Sequence, residues 1–193
     1  FVHAGVVGWQ GGAIVLPGRT RAGKSSLVAA LVRAGATYYS DEYAVLDDAG
    51  FVHPFARPLG MRDETGRTRR VEPCALGAVG DTPLPVKRVV ATRYVAGGAW
   101  RATAMSPGET TLALLDNTLA ARSRPADALR ILAAVARHAS GIRGARGDAA
   151  AAVRKSRQRS IIDDGNVAGC RPRKKGSGID RVGVRSVDRN VAA

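Results

Sequence analysis

The stretch Gly18-Arg19-Thr20-Arg21-Ala22-Gly23-Lys24-Ser25 is the most informative part of this chain. It matches the pattern GxxxxGK[ST], whose glycines let a loop wrap around a polyphosphate while backbone N–H groups point inward. In this pattern the lysine reaches the β- and γ-phosphates, and the next hydroxyl ligates Mg²⁺. The sequence therefore predicts a nucleotide-phosphate site from Gly18 to Ser26, with Lys24 on the phosphates and Ser25 on the metal.

The sequence on either side supplies the context that such a loop needs. Ala13 to Leu16 is a short apolar run that predicts a strand before the loop. Lys24 to Ala34 predicts an amphipathic helix after it, which ends at Gly35. Phe1 to Val7 predicts another strand, joined to the first through a glycine-rich turn. The alternative, a strand-to-helix turn that matches the pattern by chance, is disfavoured because strand, loop and helix are all present.

An acidic pair follows the next predicted strand. Thr37-Tyr38-Tyr39 is β-branched and aromatic, and it leads directly to Asp41-Glu42, seventeen residues after Lys24. In an α/β sheet this strand end points to the same edge as the loop. A carboxylate there could hold Mg²⁺ through water or accept a proton from an attacking hydroxyl. The alternative is a solvated acidic pair that opens a hairpin formed by residues 43–46 and 51–53.

The remaining sequence predicts a second group of elements. Pro54 to Pro73 is polar and arginine-rich and predicts a long loop, and Val86 to Val95 predicts a strand. Ser106-Pro107-Gly108-Glu109 has the capping-box pattern with proline at the first helical position, which predicts a helix to about Ala121. A further helix is expected from 123 to 139, and residues 148–153 are expected to close the domain.

A third candidate is His3, in the strand before the loop strand. From there its imidazole could reach the γ-phosphate side of the site. A single histidine in a strand is more often structural than functional, so His3 carries little weight without its neighbours.

Taken together, these residues resemble the catalytic domain of HPr kinase/phosphorylase and its shorter relatives, a fold that also resembles the nucleotide core of phosphoenolpyruvate carboxykinase. The resemblance rests on residues 2–7, residues 18–25 and Ser40-Asp41-Glu42, and less specifically on residues 86–139. It implies an α/β fold, a mixed sheet with flanking helices. It also implies Lys24 on the phosphates of ATP, Ser25 and Asp41 at Mg²⁺, Asp41 or Glu42 as catalytic base, and His3 beside the transferred phosphoryl group.

The chain departs from this family's pattern in three ways. Its acidic pair is Asp-Glu, where the family's protein kinases carry Asp-Asp. The family also has a later glycine-rich stretch with a magnesium-binding glutamate, which residues 63–66 of this chain match only weakly. A second basic residue for the γ-phosphate is not fixed, and Arg57 and Arg62 are candidates. These departures speak against HPr itself as substrate, and they leave the binding of ATP and Mg²⁺ as the expectation.

Half of the net charge of +14 lies in residues 154–193, which hold eleven Lys and Arg against four Asp. One domain is therefore expected over residues 1–153, followed by a basic, disordered tail. The tail could be an arm that contacts nucleic acid, but it has no aromatic residue on which bases could stack. An unselected or frame-shifted extension is favoured instead.

Composition narrows the remaining choices. The two cysteines are far apart, which argues against a disulfide scaffold or structural zinc, and no run of eighteen apolar residues could span a membrane. A cytoplasmic protein is expected, and the start at Phe1, inside an apolar run, suggests a fragment without a signal peptide.

The favoured function is transfer of the ATP γ-phosphoryl group to a hydroxyl of a protein or small molecule. The alternatives are a regulatory nucleotide-binding or NTPase module and, less favoured, nucleic-acid binding through the tail. The phosphoacceptor is unknown, and a homo-oligomer remains open.

Overall fold

The computed structural model describes residues 1–20, 22–63 and 65–156. Its strands are β1 Val2–Trp9, β2 Gly12–Pro17, β3 Thr37–Ser40, β4 Tyr43–Leu46, β5 Phe51–His53, β6 Leu59–Arg62, β7 Thr68–Val71, β8 Leu84–Tyr94, β9 Arg101–Met105 and β10 Ser140–Arg146. Its helices are α1 Lys24–Arg33, α2 Pro107–Leu115, α3 Pro125–His138 and α4 Ala149–Ser156. Short 3-10 turns cover Pro73–Ala75 and Leu119–Ala121. The fold is thus of the mixed α/β class, as the sequence predicts.

Eight strands form one large sheet, and β6 and β7 form a separate hairpin. The order is β2-β1-β4-β5-β8-β10-β9, and β3 also pairs with β1. The sheet is mostly antiparallel, but β8 runs parallel to both β2 and β10. Because β2 also pairs with β8, the strands β1, β2, β8, β5 and β4 close into a ring of pairings.

The β1–β2 hairpin pairs with three other strands of this sheet, β3, β4 and β8. Its turn places Gln10 at φ 47° and Gly11 at φ 72°, the two positive angles of the type I′ turn that matches the twist of paired strands. Every residue of β2 is buried, as expected for a strand that is covered on both faces.

Helices cover the sheet on both faces, because successive side chains of a strand point to opposite sides. Ile14 and Leu16 of β2 belong to a core cluster with residues of α1 and α4. Ala13 and Val15 belong to a second cluster with residues of α2 and α3. The loop that connects β2 to α1 is therefore anchored in a three-layer core.

The prediction of one long loop over residues 54–73 is wrong. Within this range β6 and β7 pair antiparallel, and Leu59 is fully buried in the cluster under α1. The turn between them is organised by the Asp63 carboxylate, which accepts hydrogen bonds from the backbone N–H groups of Thr65 and Arg67. Because only one face of the hairpin is apolar, its exposed arginines make the sequence resemble a polar loop.

The helix predicted to reach about Ala121 is also too long. α2 ends at Leu115, where the Asn117 and Thr118 side chains donate hydrogen bonds to carbonyls of its last turn and compete with a further turn. Strands β9 and β10 are not predicted at all, because the sequences RATAM and SGIRGAR lack a continuous apolar face.

α4 continues to Ser156, three residues past 153, where the sequence predicts that the domain ends. The expectations for the rest of the tail, residues 157–193, fall outside the described residues. Within the described ranges, no helix combines the length and the hydropathy needed to cross a membrane.

Candidate functional site

Gly18–Gly23 connects the carboxyl end of β2 to the first residue of α1. Gly23 has φ 78°, a left-handed conformation that residues with a side chain rarely adopt. A Cβ at this position would also lie only 2.6 Å from Nη2 of Arg146. Both the backbone angle and the lack of space therefore require glycine before Lys24.

The Lys24 ammonium lies inside the loop. Its Nζ donates hydrogen bonds to the carbonyl oxygens of Gly18 at 2.8 Å and Arg19 at 3.0 Å. Burial lowers the pKa of Lys24 below its ordinary value, while the Asp41 and Glu42 carboxylates oppose this shift. The side chain thus provides a partly desolvated positive charge at the centre of the loop.

The acidic pair lies beside the start of α1. Ser25 Oγ donates a hydrogen bond to Asp41 Oδ2 at 2.6 Å. The two residues meet because β1 is antiparallel to both β2 and β3, so that β2 and β3 run in the same direction and end at one edge. The juxtaposition expected from the sequence is present.

Two further groups hold the acidic pair in place. The buried Ser40 hydroxyl accepts hydrogen bonds from the backbone N–H groups of Glu42 and Tyr43. The Tyr38 hydroxyl lies 3.1 Å from Asp41 Oδ1 and 2.9 Å from the Arg57 carbonyl oxygen. Burial and the Asp41 charge raise the pKa of Tyr38, which keeps this phenol neutral and able to donate. Both oxygens of Asp41 are therefore engaged.

Glu42 has a different environment. It lines a cavity of about 530 Å³ together with His3, Arg19, Thr20 and Tyr43. Its carboxylate lies 3.7 Å from the Arg57 guanidinium, and both side chains are largely exposed. Glu42 is thus accessible to a molecule in this cavity.

His3 lies at the start of the loop, where its carbonyl oxygen accepts a hydrogen bond from the Gly18 N–H at 3.2 Å. Its ring packs against Tyr43, with ring centroids 5.7 Å apart. Burial and the positive charge of Lys24 lower the pKa of His3 below its ordinary value, and Glu42 opposes them. The imidazole is therefore neutral at neutral pH.

This shift predicts a pH dependence of stability. Because the folded state resists protonation of His3, the unfolded chain takes up the proton at a higher pH, and stability falls as pH drops below 6.5. Replacing His3 by asparagine should reduce the loss of unfolding free energy between about pH 7 and pH 5. Urea unfolding of both proteins at the two pH values measures the difference. An equal loss in parent and variant would contradict the role of His3.

Arg146, the last residue of β10, completes the loop although the sequence did not single it out. It is 2% exposed, and its Nη2 donates a hydrogen bond to the Gly23 carbonyl oxygen at 2.7 Å. Nη1 donates to the Gly147 carbonyl oxygen at 3.1 Å, while the buried Nε has no partner among the described residues. Burial lowers the pKa of Arg146, and Asp148 and Tyr94 oppose this. The guanidinium therefore holds the end of the loop against β10.

Replacing Arg146 by methionine should lower the free energy of unfolding by about 1–3 kcal/mol, because the loop carbonyl loses a bond to a charged donor. Arg143→Met on the same strand is the matched control. Arg143 is exposed and paired with Glu109, and such surface pairs contribute about 0–1 kcal/mol. Urea unfolding compares the two. Equal effects would show that the Arg146 contacts contribute no more than a surface ion pair.

The structure thus brings together Lys24, Ser25, Asp41, Glu42 and His3. Around them, the loop is formed by Gly18, Arg19, Thr20, Ala22 and Gly23, and Ser26 is exposed on the first turn of α1; Arg21 lies outside the described residues. Of the two arginines considered for the γ-phosphate, Arg57 lies beside Glu42. Arg62 is exposed on β6, within the separate hairpin.

The oxygen atoms at this site fit a magnesium ion that phosphate oxygens also coordinate. The Ser25 hydroxyl and the Asp41 carboxylate supply the oxygen atoms that Mg²⁺ prefers. In the described part of the chain, no three His, Cys, Asp or Glu side chains cluster as a metal site of their own. Mg²⁺ commonly binds through one or two protein groups plus substrate phosphates, so this donor set is sufficient.

No protein-family model matches the chain, and no curated protein sequence matches it significantly.

Proposed function

We propose that this chain is an ATP-dependent phosphotransferase of the HPr kinase-like P-loop type. The observation that carries the proposal is the 2.6 Å hydrogen bond between Ser25 and Asp41, beside the Lys24 ammonium at the centre of a glycine loop. Hydroxyl, carboxylate and ammonium groups in this arrangement suit a magnesium-bound nucleoside triphosphate.

In this proposal the loop amides and Lys24 bind the phosphates, and Ser25 and Asp41 hold Mg²⁺. The metal, when bound, neutralises charge on the β- and γ-phosphates. For the nucleotide to bind, the Lys24 ammonium exchanges its bonds to the Gly18 and Arg19 carbonyls for bonds to phosphate oxygens. These interactions position the γ-phosphoryl group and stabilise its negative charge, which is the main source of catalysis in phosphoryl transfer.

The two carboxylates then have separate roles. Asp41 is held by Ser25 and Tyr38, which makes it suited to the metal, whereas Glu42 faces the cavity beside His3. Glu42 accepts the proton of the acceptor hydroxyl while that oxygen forms a bond to the γ-phosphorus. The bond from this phosphorus to the bridging oxygen breaks, and ADP leaves with the electron pair. Neutral His3 lies beside the transferred group and can hydrogen bond to it.

The resemblance to HPr kinase-like proteins supports the same reaction through residues 2–7, 18–25 and 40–42. It also suggests a cytoplasmic site of action, with which the exposed free thiol of Cys74 is compatible. The cavity beside Glu42 is open enough for a serine side chain of a protein or for a small alcohol.

One contact favours a regulatory nucleotide-binding module instead. The Arg57 guanidinium lies 3.7 Å from the Glu42 carboxylate, so the proposed base has a competing partner. If this pairing persists with nucleotide bound, Glu42 would not be free to take a proton.

Incubation of the purified chain with γ-labelled ATP, Mg²⁺ and cell extract tests the two functions. Transfer of label to a protein or small molecule supports the phosphotransferase, provided that a Glu42→Gln chain transfers much less. Label that appears only as free phosphate, at equal rates with both chains, would support the NTPase module and overturn the phosphotransferase.

A further inference from the structure

A cavity of about 590 Å³ adjoins the loop at Gly23 and Ser26. Tyr94, Gly98, Arg146 and Asp148 form other parts of its wall. None of its lining residues lines the cavity that contains His3 and Glu42. This space contacts the loop but is separate from the proposed acceptor side, and its volume is in the range of small-molecule sites.

The wall of this cavity suits a flat, uncharged group better than a phosphate. Among the described residues that line it, Arg146 is the one arginine, and its guanidinium donates hydrogen bonds to the carbonyl oxygens of Gly23 and Gly147, while the Asp148 carboxylate adds negative charge. A different cavity, of about 690 Å³, has four arginines in its wall and is therefore more cationic: Arg19, Arg93, Arg101 and Arg143. An anion would bind there in preference.

Tyr94 gives the wall its aromatic surface. It is 57% exposed at the end of β8, a large exposure for an aromatic side chain. The Arg146 guanidinium lies 6.0 Å from the ring centroid and so helps to fix the ring beside the loop. Gly97 lines the same cavity and has open space where a Cβ would lie, so no side chain blocks a planar ring at this position.

We propose that this cavity binds the nucleobase of the nucleotide and that Tyr94 stacks on it. The inference rests on the proposed function, because the loop must hold the triphosphate for the base to reach Tyr94. Ser26 follows the metal-side residue Ser25 and lines the cavity, so the nucleotide runs from the acceptor side, past Lys24 and Ser25, to Tyr94. Tyr94 thereby distinguishes a nucleotide from a bare polyphosphate.

Titration calorimetry with ATP and with inorganic tripolyphosphate, each with Mg²⁺, tests the inference. Base–aromatic stacking is worth about 1–3 kcal/mol, so Tyr94→Ala should weaken ATP binding by about 5- to 150-fold. Tripolyphosphate affinity should not change, because it depends on the loop alone. Tyr94→Phe should retain ATP affinity, since it keeps the ring, and Phe51→Ala, which removes another exposed aromatic side chain, should have no effect.

Each adverse outcome has a separate meaning. Unchanged ATP affinity in Tyr94→Ala would overturn the stacking role and leave the phosphate site intact. An equal loss for ATP and tripolyphosphate would also overturn it, because Tyr94 would then act only on the structure of the loop. If the parent chain binds neither ligand, the proposed function fails, and this inference fails with it.

Discussion

Replacing Lys24 by alanine should weaken ATP binding by about 10- to 150-fold, because hydrogen bonds from a charged donor contribute about 1.5–3 kcal/mol. The substitution removes the positive charge at the centre of the loop, where its Nζ lies within 3.0 Å of two carbonyl oxygens. Because Lys24 is only half-buried, the domain should remain folded without it.

Titration calorimetry measures this effect, with thermal unfolding as a check on the fold. Lys87→Ala is the matched control, because Lys87 is an exposed lysine of β8 that does not line any of the cavities beside the loop. ATP binding of equal strength in the Lys24 variant and the parent would refute the phosphate site.

Replacing Glu42 by glutamine should slow phosphoryl transfer by about 10²- to 10⁴-fold, the usual contribution of a general base. The amide cannot accept the proton, but it has nearly the same shape and keeps hydrogen-bonding capacity. The KM for ATP should change little, because Glu42 lines the acceptor cavity and makes no hydrogen bond to Lys24 or Ser25 in the described structure.

Asp41→Asn separates the metal role from the base role. Its oxygens face Ser25 and Tyr38, so this variant should require more Mg²⁺ to reach half of its maximal rate. Rates measured against Mg²⁺ concentration for both variants give the comparison. If Glu42→Gln transfers phosphate at the parent rate while Asp41→Asn loses activity at all Mg²⁺ concentrations, the roles are reversed and Asp41 is the base.

The unit of strand, loop and helix could be predicted from the sequence because its determinants are local. Apolar residues before the loop, Gly23, and the apolar spacing of α1 are all contained in about twenty residues, and the observed strand and helix, Gly12–Pro17 and Lys24–Arg33, lie within a residue of the predicted bounds. The position of Asp41 also follows from a short stretch, because it comes directly after β3.

The residues that the sequence did not reveal depend on long-range contacts. Arg146 reaches Gly23 across 123 residues of chain, and the strand that carries it has two glycines and two arginines among seven residues. The β6–β7 hairpin is fixed by the burial of Leu59 under α1, which depends on packing between distant segments. Local patterns carry no information on either contact.

Strand β8 controls the site without contributing any of the residues proposed to bind phosphate or metal. Its parallel partners are β2, which is followed by the loop, and β10, which ends at Arg146. Val89 is paired with Val15 on one side and with Gly141 on the other, and it is fully buried. The distance between the loop and the Arg146 guanidinium therefore depends on the register of one shared strand. Core substitutions at Val89 should therefore displace the loop relative to Arg146 before they unfold the domain.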